Sequence, residues 1–307
     1  MKNVLIATDK PFAKEAVEKI KAIVEKAGFK LSLLEKYTQA SELVEAVKSA
    51  NAVIVRSDLM TKEVIEAGKD LKIVVRAGAG YDNLDLEACT KQGVIAMNTP
   101  GQNANAVAEL VFGMMILNAR KGFNGASGTE LRGKKIGIHA YGNVGQYVAI
   151  IAKGFGMEVY AFDPFVSADK IKADGVTPVS TIEELYSTCN FVSLHIPATA
   201  QTKKSINYDL LNKMPKGGVL INTARKEVIE EEGLVKLMED RKDIAYLSDI
   251  MPDNASVFAE KFVGRFFFTP KKSGAQTEEA NVNAGVAAAH QIVNFFTKGD
   301  ETFRLNK

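Results

Sequence analysis

Short apolar runs rich in β-branched residues alternate with segments of helical spacing along the whole chain. VLIA at 4–7, LSLL at 31–34, VIVR at 53–56, IVVR at 73–76 and VIAMN at 94–98 are nearly continuous apolar stretches, the pattern of strands buried on both faces of a parallel sheet. Between the first two, KPFAKEAVEKIKAIVEKAG carries apolar residues at helical spacing and stops at Gly28. A longer helical stretch from about 103 to 120 leads into KGFNGASGTELRGKK, a connector rich in glycine and charge. The alternation then restarts with KIGIH at 135–139, EVYAFD at 158–163, FVSLHIP at 191–197, GVLINTA at 218–224, IAYLSD at 244–249 and FFFTP at 266–270. The run TEEANVNAGVAAAHQIVNFFTKG predicts a last helix with Ala and Gly on a close-packing face, followed by the tail DETFRLNK.

Strands alternating with helices predict the α/β class, here two doubly wound parallel sheets with right-handed crossovers. In such folds ligands bind beyond the carboxyl ends of the strands, so chemistry-bearing residues are sought there. The 307-residue length fits about two domains.

Composition narrows the partners. A net charge of +2, from 39 basic and 37 acidic residues, gives no case for a nucleic-acid partner. The apolar stretch AVAELVFGMMILNAR holds Glu109, ends at Arg120 and falls short of a membrane span. Cys89 and Cys189 form neither a disulfide framework nor a metal-ligand spacing, so no metal and a reduced, cytoplasmic setting are expected.

After KIGIH comes AYGNVGQ, opening a helix. The dinucleotide turn G-x-G-x-x-G would read Ala140-Tyr141-Gly142-Asn143-Val144-Gly145, with alanine in the first glycine's place. Alanine serves there if its φ stays negative. Gly142 would let a pyrophosphate approach, Gly145 would let the helix pack on the strand, and the amides at Asn143 and Val144 would face the phosphates. The next strand ends at Asp163, 18 residues after Gly145, where an acid accepts ribose hydroxyls and repels a 2′-phosphate. Pro164 biases Asp163 toward an extended backbone. The expected cofactor is NAD.

In this order, the second unit resembles the NAD domain of the D-isomer-specific 2-hydroxyacid dehydrogenases. NTPGQNANAVAEL at 98–110, VYAFDPF at 159–165, SLHIPATAQTK at 193–203 and INTARKEVIEEEGL at 221–234 carry the likeness. Arg56-Ser57 and RAGAGYDNLD at 76–85 resemble the phosphoglycerate-oxidising branch, in its short, lysine-type form of about 300 residues. The resemblance implies a Rossmann domain at 99–280 and a discontinuous flavodoxin-like substrate domain at 1–98 and 281–307. It also implies a homodimer through 103–133, no serine-sensing domain after the tail, and cofactor contacts at His195, Pro197, Thr202, Thr223, Ala224 and Asp249.

Oxidation at a 2-hydroxy carbon needs a hydride carrier, a cation on the substrate carboxylate and an acid–base group on the hydroxyl. Arg225, after an apolar strand, suits the carboxylate. The family's acid–base pair is a histidine oriented by a glutamate. Here Asn254 stands in the glutamate's place and Lys271-Lys272 in the histidine's, and the downstream match SGAQTEEA selects Lys272, with Lys271 the alternative. Burial beside Arg225 and substrate is expected to pull the pKa of Lys272 from about 10.4 towards the working pH. His139 and His290 read as structural. Arg56 and Arg76 end apolar strands, and Gly78-Ala79-Gly80 offers backbone N–H groups, so an anion cleft facing Arg225 is expected. The resemblance makes that anion the phosphate of 3-phosphoglycerate. A glyoxylate, hydroxypyruvate or D-lactate enzyme of the family, or a non-catalytic NAD-binding scaffold, stays open.

Overall fold

The computed structural model describes residues 1–307. The chain divides into two compact units, Met1–Asn103 with Gln276–Lys307, and Ala104–Ala275. The divisions fall about five residues from the expected 98/99 and 280/281.

In the first unit five parallel strands, β1 (Asn3–Thr8), β2 (Lys30–Glu35), β3 (Ala52–Val55), β4 (Ile73–Arg76) and β5 (Ile95–Asn98), lie in the order β2-β1-β3-β4-β5. This is the flavodoxin-like order. Val4 and Ile6 enter the core on one face of the sheet while Leu5 and Ala7 enter the other, so a strand covered on both faces reads as one apolar run. The helix Lys14–Lys26 packs against Glu278–Lys298. A Cβ on Gly285 would stand 2.9 Å from Ile20 Cδ1 and 3.1 Å from the Phe12 ring, so the small face of the last helix permits the close approach. The tail is pinned to β5: the Leu305 N–H donates to the Ala96 carbonyl, and Asn306 Oδ1 accepts from the Ala96 N–H at 2.8 Å.

In the second unit seven parallel strands, β6 (Lys135–His139), β7 (Glu158–Phe162), β8 (Thr177–Pro178), β9 (Phe191–Leu194), β10 (Val219–Asn222), β11 (Ala245–Ser248) and β12 (Phe266–Phe268), run in the order β12-β11-β10-β9-β6-β7-β8. Both β7 and β9 flank β6, so the order reverses there, as in a Rossmann sheet. The two-residue strand β8 has no counterpart in the sequence reading, because Pro178 on an edge leaves no apolar run. At the opposite edge, β12 is only half-buried rather than sunk in the core, since one side of an edge strand lacks a neighbour. Phe266 and Phe268 pack instead on Phe258, with ring centroids 5.9 and 5.2 Å away. No helix of the chain is long and apolar enough to cross a membrane.

Candidate active site

The turn after β6 is held by backbone geometry. The Ala140 N–H donates to the Phe162 carbonyl at 2.9 Å, joining the ends of β6 and β7. Its φ is +80°, which corrects the expectation of a negative value. Gly145 explains the change: a Cβ there would lie 2.4 Å from the Ala140 carbonyl oxygen, so the helix Asn143–Gly154 presses on that carbonyl and the turn stays in the glycine conformation. Ala140 therefore stores strain on the order of 1–2 kcal/mol. Gly142 caps this helix, and a Cβ on it would meet nothing within 4 Å. The space a pyrophosphate needs is open, and the first amides of the helix point into it.

Asp163 closes the same turn. Its Oδ2 accepts the Tyr141 N–H at 2.7 Å and its Oδ1 accepts the Phe165 N–H at 2.8 Å. Both oxygens keep lone pairs for ribose hydroxyls, and a half-buried carboxylate fixed by two amides suits a nucleotide without a 2′-phosphate. Pro164 and Phe165 are exposed beside it. The residues present thus fit NAD.

Two histidines end β6 and follow β9. The His139 imidazole is buried against Phe162 and Tyr186, and burial pushes its pKa down to about 4 despite the nearby Asp163 carboxylate. The His195 N–H donates to the His139 carbonyl at 2.9 Å, and its Nε2 pairs with the Ser193 hydroxyl at 3.0 Å. Burial, with a smaller contribution from His139, pushes its pKa down to about 3. Both rings are neutral near pH 7. In the segment after His195, the Thr202 hydroxyl donates to the Pro197 carbonyl, so these two residues brace one another.

After β10, the buried Asn222 side chain folds back on its own turn. Its Oδ1 accepts the Ala224 N–H and its Nδ2 donates to the Arg225 carbonyl, both at 2.9 Å. This short-range staple puts Arg225 in extended backbone (φ −143°, ψ 144°), with its guanidinium half-buried and its Nη1 donating to the Ala224 carbonyl at 2.9 Å. The Thr223 hydroxyl is buried without a protein partner. The staple that Asn222 makes escaped the sequence reading, although an Asn two residues before a turn is the signal for such a bond.

Lys271 and Lys272 follow β12, and both side chains are exposed rather than buried. The loop that carries them is tied to Asp249, which is almost fully buried. Its Oδ1 accepts from the Thr269 hydroxyl and the Ser273 N–H at 2.9 and 2.7 Å, and its Oδ2 accepts from the Gly274 N–H at 2.8 Å. Asn254 stands at the start of the helix Ala255–Lys261, its N–H donating to Glu231 and its Oδ1 buried without a partner.

In the first unit, Arg56 follows β3 and Arg76 ends β4. The Arg56 guanidinium lies 5.3 Å from the Phe12 ring centroid and donates to the Asn281 side chain at 2.6 Å and to the Lys10 carbonyl at 3.2 Å. Burial lowers its pKa, against the opposing pull of Asp58 and Asp9. Arg76 Nε donates to the Arg56 carbonyl at 3.0 Å, so the two arginines are joined. Gly78 contributes space here rather than a donor. Its N–H is spent on the Arg76 carbonyl, its φ is +148°, and a Cβ would fall 1.6 Å from Arg76 Nη1. The exposed Ala79 and half-buried Gly80 amides are the ones left to face an anion, with Ser57 exposed beside Arg56. Asp58 also escaped the sequence reading. This buried carboxylate accepts the Asp9 and Arg56 N–H groups and the Tyr37 hydroxyl, tying together the ends of β1, β2 and β3.

The chain is similar to known proteins. The family model described as D-isomer specific 2-hydroxyacid dehydrogenase, NAD binding domain, matches residues 90–269. A D-3-phosphoglycerate dehydrogenase of Methanocaldococcus jannaschii is 35% identical over 273 residues, 82% of this chain and 51% of its own. A hydroxypyruvate reductase of Thermotoga maritima is 32% identical, covering 85% of this chain and 90% of its own. The crystal structure of NAD+-bound 3-phosphoglycerate dehydrogenase in Entamoeba histolytica matches at 49% identity with a TM-score of 0.87, over 100% of this chain and 99% of that one. The chain spans about half the length of the first curated relatives it matches. With the NAD-domain match covering more than half of its residues, the chain belongs to the D-isomer specific 2-hydroxyacid dehydrogenase family.

Proposed function

We propose that the protein oxidises 3-phospho-D-glycerate to 3-phosphohydroxypyruvate with NAD, the opening reaction of phosphorylated serine biosynthesis. The observation that carries this reading is the end-to-end likeness to the Entamoeba histolytica 3-phosphoglycerate dehydrogenase. NAD supplies the hydride acceptor for the hydrogen on C2. Arg225 grips the substrate carboxylate with paired donors. Lys272, or Lys271 in its place, takes the hydroxyl proton as a neutral amine while the carbonyl forms. Arg56, Ser57, Arg76 and the Ala79 and Gly80 amides receive the phosphate. Asp163 with Pro164, and the turn of Gly142, Asn143, Val144 and Gly145, hold the nucleotide, with His195, Pro197, Thr202, Thr223 and Ala224 completing its surroundings.

A homodimer formed through Ala104–Ala119 and the following segment accompanies this reading. An exposed Gly113 with nothing within 4 Å of a Cβ, flanked by the half-buried Leu110, Ile116 and Leu117, supports close approach of a second copy. A reducing, cytoplasmic setting agrees with Cys89 and Cys189, both buried and free, whose thiols burial pushes up to about 12.

The hydroxypyruvate reductase relative supports a second reading, in which the substrate lacks the phosphate. NADH production with 3-phosphoglycerate, glycerate and lactate, set beside NADH consumption with glyoxylate, separates the two. We expect kcat/KM at least about tenfold higher for 3-phosphoglycerate, from one extra charge-assisted contact. Equal turnover of glycerate, or tight NAD binding with no turnover of any of the four, would sink the proposal.

A further inference from the structure

We infer that Asp249 is a positioning residue for the lysine loop: its carboxylate clamps residues 269–274 from both sides and so sets where Lys271 and Lys272 present their amines. The inference deepens the reading of Lys272 as acid–base group and rests on it for its effect on rate, whereas the clamp itself stands on geometry.

Three donors converge on this one buried carboxylate. The Thr269 hydroxyl lies before the lysines, and the Ser273 and Gly274 amides lie after them, at 2.9, 2.7 and 2.8 Å. The loop between those donors is short, and the Ser273 hydroxyl folds back on the Lys271 carbonyl at 2.7 Å. Gly274 makes the approach possible. A Cβ on it would stand 2.8 Å from Asp249 Oδ2, 3.4 Å from Val107 Cγ2 and 3.5 Å from Leu110 Cδ2, so the glycine is wedged between the carboxylate and the helix Ala104–Ala119. Asp249 is in turn fixed by the sheet, because its N–H donates to the Asn222 carbonyl at 3.0 Å. The same residue Asn222 staples the Arg225 turn. The carboxylate-binding arginine and the acid–base loop are thereby referenced to one buried point at the ends of β10 and β11. An exposed lysine on an otherwise untethered loop would sample many placements, and proton transfer needs one within hydrogen-bond reach.

The test compares Asp249→Asn, Thr269→Val and Lys272→Ala in the whole protein, with folding followed by thermal melts. The amide of Asp249→Asn leaves at least one of the three donors facing a donor. We expect kcat to fall at least tenfold, the NADH dissociation constant to change less than threefold, and reductive methylation of Lys271 and Lys272, read by peptide mass spectrometry, to accelerate. Thr269→Val removes one donor and should move the same quantities in the same direction by two- to fivefold, which serves if Asp249→Asn does not fold. Asp249→Asn added to Lys272→Ala should lower kcat no further. A tenfold loss of NADH affinity with unchanged lysine labelling would overturn the inference and make Asp249 a direct cofactor contact. Unchanged labelling and kcat in Thr269→Val would overturn it as well. Full activity of Lys272→Ala would instead remove the acid–base reading, and the labelling rates would still decide the clamp.

Discussion

The turn after β6 and the loop after β12 lie at two strand ends of the same sheet and are built by opposite means. The first is shaped by backbone: a residue at φ +80°, a glycine pressed on its carbonyl, and amides left open at a helix start. The second is shaped by one side chain, the Asp249 carboxylate, which arrives from the neighbouring strand and collects three donors. A backbone-built turn must fit a dinucleotide's pyrophosphate: it bears alanine at 140 only with strain and has no room for a side chain at Gly145. A side-chain-built loop can exchange the group it carries so long as the clamp holds.

The sharpest way to break this comparison is Gly145→Val. The new Cβ would start 2.4 Å from the Ala140 carbonyl, with Ile138 Cγ2 at 3.0 Å. The helix must move off the strand, at a cost of about 3 kcal/mol. Thermal melts should show the destabilisation, and NADH fluorescence titration should show binding abolished. Retained nanomolar-to-micromolar NADH affinity would mean that the turn is not backbone-built.

Acid offers the next largest effect and acts on the first region. His139 and His195 have folded-state pKa values lowered to about 4 and about 3, below the ordinary 6.5. The unfolded chain therefore binds protons first as pH falls. Stability is fully present above about pH 6.5 and is lost as pH drops towards 4, by an amount on the order of 2–3 kcal/mol for each histidine. Denaturant melts at pH 7 and pH 4.5 read it, and His139→Gln should flatten the slope.

How far each region was legible in the sequence follows from how it is built. Gly142, Gly145 and Asp163 announce themselves because glycine and a strand-end acid at fixed spacing serve few other purposes. The sign of φ at Ala140 was not legible, since it depends on how closely the helix starting at Asn143 packs on the preceding carbonyl. The continuous apolar strands gave both sheets, but β8, two residues with a proline, has no periodicity to read. Asp249 was expected at the cofactor on resemblance alone, and its three donors lie 20 to 25 residues away along the chain. Asp58 is hidden for the same reason, drawing Asp9 and Tyr37 from 49 and 21 residues away. Gly78 looked like a donor, and only the fold reveals that its missing Cβ houses the Arg76 guanidinium.

A smaller effect sharpens the backbone side of the comparison. Ala140→Gly removes the left-handed penalty while adding unfolded-chain entropy, so the net gain should be about 0.5–1 kcal/mol. For a unit of this size that corresponds to a rise in Tm of about 1–4 °C. A fall in Tm would mean that Ala140 sits without strain.

The least perturbing change separates the turn's backbone from its side chains. Tyr141 is buried, its hydroxyl donates to Asp174 at 3.3 Å, and burial followed by that carboxylate pushes its pKa up to about 12. The hydroxyl thus links the turn to the segment after the helix Ala168–Ala173, and its bond is long enough to be weak. Tyr141→Phe should cost about 0.5–1 kcal/mol of stability, the worth of one ordinary hydrogen bond. NADH affinity should stay within twofold, because the Asp163 carboxylate contacts the Tyr141 amide, which phenylalanine keeps. A larger loss of affinity would show that the side chain, and not the chain path, shapes the nucleotide turn, and the two strand ends would then be built alike.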